Sequence, residues 1–454
     1  MGEPAEVPES STNDFTFLNV AAWLGALPSD SATALKKLGE LLVGVTGQTA
    51  NRVDATRFTL ETLGVDSFTD VIDEVVELSS VGRLTFALAL AELVGEHGAE
   101  IGPGELTLPP SYTRTTIGDT VYRHPHFMRA GFPAGTLLEE TACVLLIDSR
   151  RHFGSPPEIA VYVRREHQDS ARGILDRLAA RAAELNPYSR RVCRASLRNG
   201  LVLEAIDLPA NLTRDTVVVP AEVWQEVDMG IRSVRDRHEL LNSHGLGARR
   251  GVLLAGPPGT GKSAVSAAIA NELVGDFTVI YVDARAGEQL LTAVVEEAAQ
   301  IGGPVLLVLE DVDLWCGERL RGQSGGLSEL LQAMDIAPDA RLLTIASTND
   351  ASTLDRAAIR TGRFDSIVEV DFPDRQDAER ILIALMSGIP GGAGVDTRAV
   401  TAALPAQTSG SDLREIVRRA VLSTPEGKLS TQAVMKEVGS GRYQAQLPAE
   451  GAYL

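Results

Sequence analysis

The chain has little cysteine, a deficit of positive charge and no long apolar run. Its three cysteines, Cys143, Cys193 and Cys316, are too few and too far apart for a disulfide framework or a C-x-x-C zinc site, and they fit a reducing compartment. The 42 Lys and Arg residues stand against 61 Asp and Glu residues, so the net charge is −19. This acidity argues against binding nucleic acid or an anionic membrane over the whole surface.

Apolar stretches give no sign of a membrane segment. Residues 15–27 are apolar but too short to span a bilayer, and no later stretch is longer. The first fifteen residues are acidic and polar, which does not fit a signal peptide. We therefore expect a cytoplasmic protein with no membrane partner and no nucleic-acid partner. Four arginines could still form a local basic patch, or simply a solvated strand face: Arg190, Arg191, Arg194 and Arg198.

The length of 454 residues predicts two to four domains, and an apolar content of 44% is enough for packed cores. Composition and turn signals divide the chain into seven parts. We predict a disordered tail, a mostly helical region, a small α+β domain that serves as an adaptor, a linker, a large nucleotide-binding subdomain, a helical lid and a second tail. In order, these parts cover residues 1–14, 15–110, 111–206, 207–219, 220–374, 375–437 and 438–454.

The first half offers periodic patterns but no catalytic constellation. Helical spacing predicts helices at Leu35–Leu42, Phe68–Leu78 and Leu84–Leu93. Two strands are predicted at 143–147 and 159–163, followed by a helix over 171–185. A hairpin is predicted around Asn199-Gly200, because this dipeptide suits a tight turn between two apolar runs.

The second half contains a glycine-rich loop between a short apolar run and a helix-forming run. Residues 251–263 read GVLLAGPPGTGKS, which has the G-x-x-x-x-G-K-[ST] spacing. Glycines let backbone N–H groups turn toward phosphate oxygens, and a lysine reaches the β- and γ-phosphates. The alternative is a glycine-rich turn with a chance lysine. The predicted nucleotide-binding residues are Gly256, Pro257, Pro258, Gly259, Thr260, Gly261, Lys262 and Ser263.

A second apolar run, Val305–Leu309, ends in the acidic run Glu310-Asp311-Val312-Asp313. Carboxylates at the carboxyl end of a parallel strand beside a phosphate loop can hold Mg²⁺ and orient water. We predict Ser263 and Glu310 as Mg²⁺ ligands and Asp311 as a catalytic residue. The alternative is that the two acids are solvated loop residues.

From Pro220 to about residue 437 the sequence resembles the AAA+ ATPases, of the classical AAA clade. The resemblance implies a P-loop NTPase parallel sheet with a small helical lid, ATP and Mg²⁺ as cofactors, ATP hydrolysis, and a ring that is a hexamer. Asn349, after the strand candidate 341–347, is similar to the residue called sensor 1. Arg360 and Arg363 are similar to arginine fingers that reach a neighbouring subunit. Their alternative is local ion pairing with Asp355 and Asp365.

The sequence departs from the family at several positions. The acidic pair is Glu-Asp, whereas most members have Asp-Glu. The Glu-Asp order is similar to that of the mitochondrial Rieske-protein translocase group. Residues 283–291 contain no aromatic side chain where threading unfoldases carry one, so we expect polypeptide threading to be weak or absent. Residues 408–413, in contrast, resemble the start of a classical lid helix, and the lack of an arginine at the usual sensor 2 position is also typical of that clade.

Three functions are compatible with these features. The first is an ATP-driven, ring-forming remodeller of an unknown protein partner, bound through residues 15–206. The second is a nucleotide-controlled scaffold or switch with slow turnover. The third is a nucleic-acid-associated ATPase, which the overall acidity places last.

Overall fold

We describe the protein from a computed structural model, which covers residues 54–150, 156–198, 200–283, 288–313, 340–350 and 364–444. Several predicted features lie outside the described residues: both tails for the most part, the helix at 35–42, Asn199, the segment 284–287, Cys316, and the two arginines at 360 and 363. No helix in the described ranges is long and apolar enough to cross a membrane.

The described part of the chain begins with an α+β unit built on a six-stranded antiparallel sheet. The strands run in the order β1-β6-β5-β4-β2, and β3 pairs with β4. Helices α2 and α3 pack against each other and onto one face of this sheet. The bounds are α1 Ala55–Leu63, β1 Val71–Glu77, α2 Gly82–His97, β2 Glu100–Gly102, β3 Ser111–Ile117, β4 Thr120–Phe132, β5 Cys143–Asp148, β6 Glu158–Arg164 and α3 Gln168–Glu184.

Two predictions for this region are wrong. The segment Phe68–Leu78 is not a helix, because Val71–Glu77 pairs with β6 as an edge strand. Its alternating burial places Ile72 and Val76 against the core and leaves Val75 exposed, and β-branched residues suit such a surface. Because β1 and β2 belong to the same sheet as β3, the predicted boundary at residue 110 does not separate two domains.

The second sheet has seven strands in the described residues, in the order β13-β9-β12-β11-β10-β7-β8. All neighbours are parallel except β7 and β8, which form the predicted hairpin. This arrangement confirms the predicted parallel α/β sheet. The bounds are β7 Val192–Leu197, β8 Leu201–Ala205, β9 Arg250–Ala255, β10 Thr278–Asp283, β11 Val305–Glu310, β12 Leu342–Thr348 and β13 Ser366–Glu369.

The hairpin β7–β8 does not belong to the adaptor domain in which the sequence placed it. Strand β7 pairs in parallel with β10, from Val192 opposite Val279 to Ala195 opposite Val282. Residues of the predicted linker also join this unit, since Val217 and Val219 are buried in one of its cores. The boundary at residue 206 is therefore corrected to a position before β7, because β7 pairs with β10 and adds the hairpin to the second sheet.

Helices cover both faces of the second sheet. On one face α4 and α6 pack over a core built around β9, β11 and β12, and on the other face α7 packs over a second core. Strands β9, β11 and β12 are buried on both sides, which explains why their sequences are continuous apolar runs. The helix bounds are α4 Ala221–Arg235, α5 His238–Ser243, α6 Lys262–Leu273 and α7 Glu288–Ile301.

A small helical subdomain follows the sheet and confirms the predicted lid. In the described residues its helices are α8 Arg375–Met386, α9 Thr397–Ala403, α10 Gly410–Ser423 and α11 Thr431–Ser440, around a core of their own. Helix α11 continues to Ser440 and Tyr443 is buried in the same core. The tail predicted from residue 438 therefore begins later, because this turn packs on the lid.

The α+β unit and the second sheet share a hydrophobic core. Val81 and Leu84 at the start of α2, and Ile117 at the end of β3, are at most 4% exposed. They lie in one cluster with Leu201 of β8 and Leu290 of α7. The two units are thus joined by apolar packing as well as by the chain.

Candidate active site

The glycine-rich loop lies between the carboxyl end of β9 and the start of α6, as predicted. Gly256 has φ +156° and Gly259 has φ +79°, a region that favours glycine. A Cβ at residue 256 would overlap the carbonyl oxygen of Val370, and one at residue 259 would overlap the hydroxyl of Ser411. Both glycines are therefore required by close packing against the segments that follow β13 and open α10.

Lys262 is the first residue of α6 and its side chain folds back over the loop. Its ammonium donates hydrogen bonds to the carbonyl oxygens of Gly256 at 2.7 Å and Pro257 at 2.8 Å. Only 6% of the residue is exposed. Burial lowers the pKa of Lys262, and the nearby carboxylates of Asp311 and Asp313 oppose that shift. A buried cation is thereby held within the loop and close to two acids.

The predicted acidic pair lies where β11 ends. Glu310 is the last residue of the strand, and Asp311 has a left-handed backbone with φ +53°. The N–H of Asp311 donates to the hydroxyl of Ser347 at 3.2 Å, which anchors this turn to the end of β12. The Asn349 amide nitrogen donates to the carboxylate of Asp311 at 3.2 Å.

A third carboxylate belongs to the same cluster. The backbone N–H of Asn349 donates to Asp313 at 3.1 Å. Asp313 and Ser347 were not predicted as site residues. A signal for Asp313 was present, since the acidic run is Glu-Asp-Val-Asp. Ser347 gave no such signal, because its role depends on the register between β11 and β12.

The lid touches the loop through the first turn of α10. Ser409 and Asp412 form a capping box, in which the Ser409 hydroxyl accepts from the Asp412 N–H and the Asp412 carboxylate accepts from the Ser409 N–H. The N–H of Ser411 donates to the carbonyl oxygen of Gly259 at 3.0 Å. The segment predicted to open a lid helix thus also contacts the glycine-rich loop directly.

The structure brings most of the predicted site residues to one edge of the sheet. Strands β9, β12 and β11 are neighbours, so the loop, Asn349 and the Glu310–Asp311 pair follow adjacent parallel strands. Arg360 and Arg363 lie outside the described residues. Asp365, their alternative ion partner, accepts from the N–H of Gly251 at 2.9 Å and pairs with Arg250 at 3.6 Å.

The donors at this edge suit a hard divalent cation together with phosphate. Ser263 exposes its hydroxyl in the first turn of α6, and Glu310 is half-buried at the end of β11. Mg²⁺ prefers oxygen ligands and in nucleotide sites takes several of them from phosphates and water. Within the described ranges no three His, Cys, Asp or Glu side chains converge as a metal site.

Comparison with known proteins agrees with this geometry. Residues 252–372 match the sequence family described as "ATPase family associated with various cellular activities (AAA)". This range begins in β9 and ends after β13, so it contains the loop, the acidic pair and Asn349.

Several curated proteins are similar to part of the chain. An ATP-dependent zinc metalloprotease FtsH 4 of Sphaerobacter thermophilus is 35% identical over 197 residues, which cover 39% of this chain and 29% of that protein. An FtsH 1 of Conexibacter woesei is 32% identical, covering 50% of this chain and 38% of that protein. A proteasome-activating nucleotidase of Thermococcus kodakarensis is 28% identical, covering 63% and 76%. The chain thus spans about a third of the length of the metalloproteases that it matches.

Proposed function

We propose, from the premise that residues 252–372 are an AAA-family ATPase domain, that the chain hydrolyses ATP and uses it to remodel a protein partner. The observation that carries the proposal is the convergence of Lys262, Asp311 and Asn349 at one edge of the sheet. A phosphate-binding cation, a carboxylate and an amide are the groups that phosphoryl transfer to water requires.

Each residue of the cluster has a role that its chemistry supports. Lys262 exchanges its two carbonyl acceptors for phosphate oxygens, and the loop N–H groups bind the remaining oxygens. Ser263 and Glu310 are the residues that would hold Mg²⁺, which neutralises charge on the phosphates. Asp311 accepts the proton of the attacking water or orients it, and Asn349 fixes that carboxylate.

We propose that catalysis needs an oligomer, by resemblance a hexameric ring. Arg360 and Arg363 are the candidate fingers, because a guanidinium fork matches charge spread over phosphoryl oxygens. The α+β unit is the candidate surface for the protein partner, since it is packed on the second sheet through the shared core. Its movement would therefore follow that of the ATPase domain.

A scaffold or switch with slow turnover is the second candidate. It is favoured by Asp311, whose side chain is one methylene shorter than the glutamate usual at this place. An error of about 1 Å in the position of a catalytic group can lower a rate on the order of a hundredfold. Tight ATP binding with negligible hydrolysis, even with a protein partner present, would select this alternative.

The proposed activity is ATP hydrolysis, without the proteolysis that the names of the FtsH relatives imply. Within this sequence His-Glu occurs at His238-Glu239, and the residue that should complete an H-E-x-x-H zinc motif is Asn242. The aligned share of FtsH 4 is 29% of that protein.

The Lys262→Ala variant tests whether the loop binds ATP. We expect it to lose most ATP affinity and all measurable hydrolysis, because the phosphate charge is then left uncompensated in the loop. Lys428→Ala is the matched control, since Lys428 is an exposed lid lysine. Isothermal titration and phosphate release measure the two effects. Equal ATP affinity in Lys262→Ala and Lys428→Ala would refute the nucleotide site.

A further inference from the structure

A pocket of mixed polar and apolar lining lies between the α+β unit and the edge of the second sheet. Its volume is about 280 Å³. One wall comes from the first turn of α2 and from β3 and β4, and the opposite wall comes from Tyr188 and β8. Its lining residues lie between positions 80 and 203, and none of them belongs to the glycine-rich loop.

The lining combines donors with an apolar wall and contains no acid. Apolar contact comes from Val81, Leu84, Leu201 and Leu203, all buried. None of the described residues that line the pocket is Asp or Glu, although the chain as a whole has a net charge of −19. The fully charged lining residue is Arg83. An anionic group would therefore enter without meeting a carboxylate on the walls.

Ser149 supplies the observation that points to a ligand. The residue is 4% exposed, and its hydroxyl has no hydrogen-bond partner among the described residues. Buried polar atoms are almost always paired, because an unpaired hydroxyl loses its hydration without replacement. Its backbone N–H is already used, by the carbonyl oxygen of His126 at 2.9 Å. The Ser149 hydroxyl thus lies in the pocket wall, where it can donate a hydrogen bond to a ligand or accept one from it.

The histidines of the pocket have different roles. His124 Nδ1 lies 3.0 Å from the carbonyl oxygen of Pro125, so it carries the proton, and Nε2 then accepts from the Thr115 hydroxyl at 3.0 Å. Burial lowers the pKa of His124, which keeps this tautomer neutral. His126 is half-buried beside it and can donate to a ligand.

Arg83 provides the charge complement. Its guanidinium donates to the hydroxyl of Ser80 at 3.3 Å, on the same side of the pocket. A guanidinium has five N–H donors in a planar fork, so it can serve this hydroxyl and also bind a carboxylate or phosphate.

We propose that this pocket binds a small organic anion, whose carboxylate or phosphate meets Arg83, Ser149 and His126 and whose apolar part contacts Leu201 and Leu203. Because both units line the pocket, the occupied pocket ties β8 of the ATPase sheet to α2 and β4. The binding does not depend on ATP hydrolysis.

Isothermal titration of the full chain tests the proposal with two probes, inorganic phosphate and butyrate, at constant ionic strength set by chloride. Apart from any phosphate that binds in the glycine-rich loop and is lost in Lys262→Ala, we expect one site per chain for at least one probe, and the preferred probe identifies the headgroup. Arg83→Met should weaken binding about tenfold, because a charge-assisted contact is lost. The control Arg172→Met removes an exposed arginine of α3 and should leave the affinity unchanged.

Two further variants separate the remaining explanations. Ser149→Ala should fold as well as the unmodified chain, because its hydroxyl has no partner to lose among the described residues, and should weaken binding severalfold. Lys262→Ala should bind the probe unchanged, which distinguishes this pocket from the phosphate loop. Loss of binding in Lys262→Ala, equal weakening in Arg172→Met, or no binding of either probe up to about 20 mM would overturn the proposal.

Discussion

Asp311 has a backbone conformation that most residues avoid. Its φ of +53° lies in the left-handed region, where Asp and Asn occur several times more often than other side chains. A β-branched or bulky side chain at this position would add strain, whereas Asp is tolerated. The Glu-Asp order therefore agrees with the backbone of this turn, which Ser347 fixes from the neighbouring strand.

Asp311→Asn is the sharpest test of the proposed catalytic role of this carboxylate. Asn also tolerates the left-handed region, so the turn should be retained. We expect normal ATP affinity with phosphate release reduced at least about a hundredfold, because the amide cannot accept the proton of water. Asp276→Asn, at an exposed aspartate, is the control. If Asp311→Asn hydrolyses ATP at the unmodified rate, Glu310 becomes the better catalytic candidate.

Local motifs made part of this site predictable. The loop, with Lys262 in it, is specified by thirteen consecutive residues, and Glu310 and Asp311 stand directly after an apolar run. The contacts of Ser347 and Ser411 were not predictable in the same way. They depend on strand register and on how the lid docks, over sequence separations of 36 residues and more.

At the scale of elements, the spacing of apolar residues and the pairing of strands explain why the helix predicted at Phe68–Leu78 is wrong. Residues 71–77 read VIDEVVE, in which apolar residues fit both a helical face and an alternating strand. The strand forms because all seven residues pair with the edge of β6. An edge that is distant in sequence cannot be read from a local window, so the tertiary partner overrides the local pattern.

The tip of the β3–β4 hairpin should be important for the junction of the two units. Ile117 is 2% exposed in the shared core, so Ile117→Ala should lower the free energy of unfolding by about 2–4 kcal/mol. Val121 lies on the same hairpin and is 58% exposed. Val121→Ala should therefore change stability by less than about 0.5 kcal/mol. Denaturant titration compares them, and similar losses in both variants would contradict the shared core.

A buried carboxylate links α7 to the start of α2. Glu297 is 3% exposed and accepts from the Ser79 hydroxyl at 2.6 Å and from the N–H groups of Ser80 and Val81. Glu297→Ala should cost about 1–3 kcal/mol, because these donors are left unsatisfied. Burial raises the pKa of Glu297 above its ordinary value, and the hydrogen bonds oppose this shift.

The sign of the resulting pH dependence follows from proton uptake. Between the ordinary and the raised pKa of Glu297, the folded chain binds more protons than the unfolded chain, so this contribution to stability falls as pH rises. Glu297→Gln does not titrate. The free energy of unfolding of the unmodified chain, minus that of Glu297→Gln, should therefore decrease from about pH 4.5 upward. A difference that stays constant or increases with pH would contradict the buried carboxylate.

At the scale of the whole molecule, the α+β unit and the unit built on the second sheet are joined by side-chain packing. The shared core, the hairpin β7–β8 and the Ser79–Glu297 hydrogen bond join the α+β unit to the ATPase domain. Strand β7 pairs with β10, and β10 pairs with β11, which ends at Glu310. A structural path of paired strands therefore leads from the edge that carries the α+β unit to the acidic pair.

The proposed ring gives the last test, because its candidate arginine fingers are expected to act between subunits. Arg363→Ala should bind ATP normally and lose turnover, since the nucleotide residues remain while the neighbouring site lacks its guanidinium. Arg398→Ala, at a lid arginine that is 88% exposed, is the control and should keep full turnover. Sedimentation in the presence of ATP measures whether both variants assemble equally.

Mixing two inactive variants then separates a finger from a local ion pair. Lys262→Ala lacks the nucleotide site but keeps Arg363, and Arg363→Ala lacks the finger but keeps Lys262. In a mixed ring some intact sites meet intact fingers, so phosphate release should rise above that of either variant alone. If Arg363 only pairs with Asp365 inside its own subunit, the mixture should stay as inactive as its components. Full specific activity of a dilute monomer would likewise contradict action between subunits.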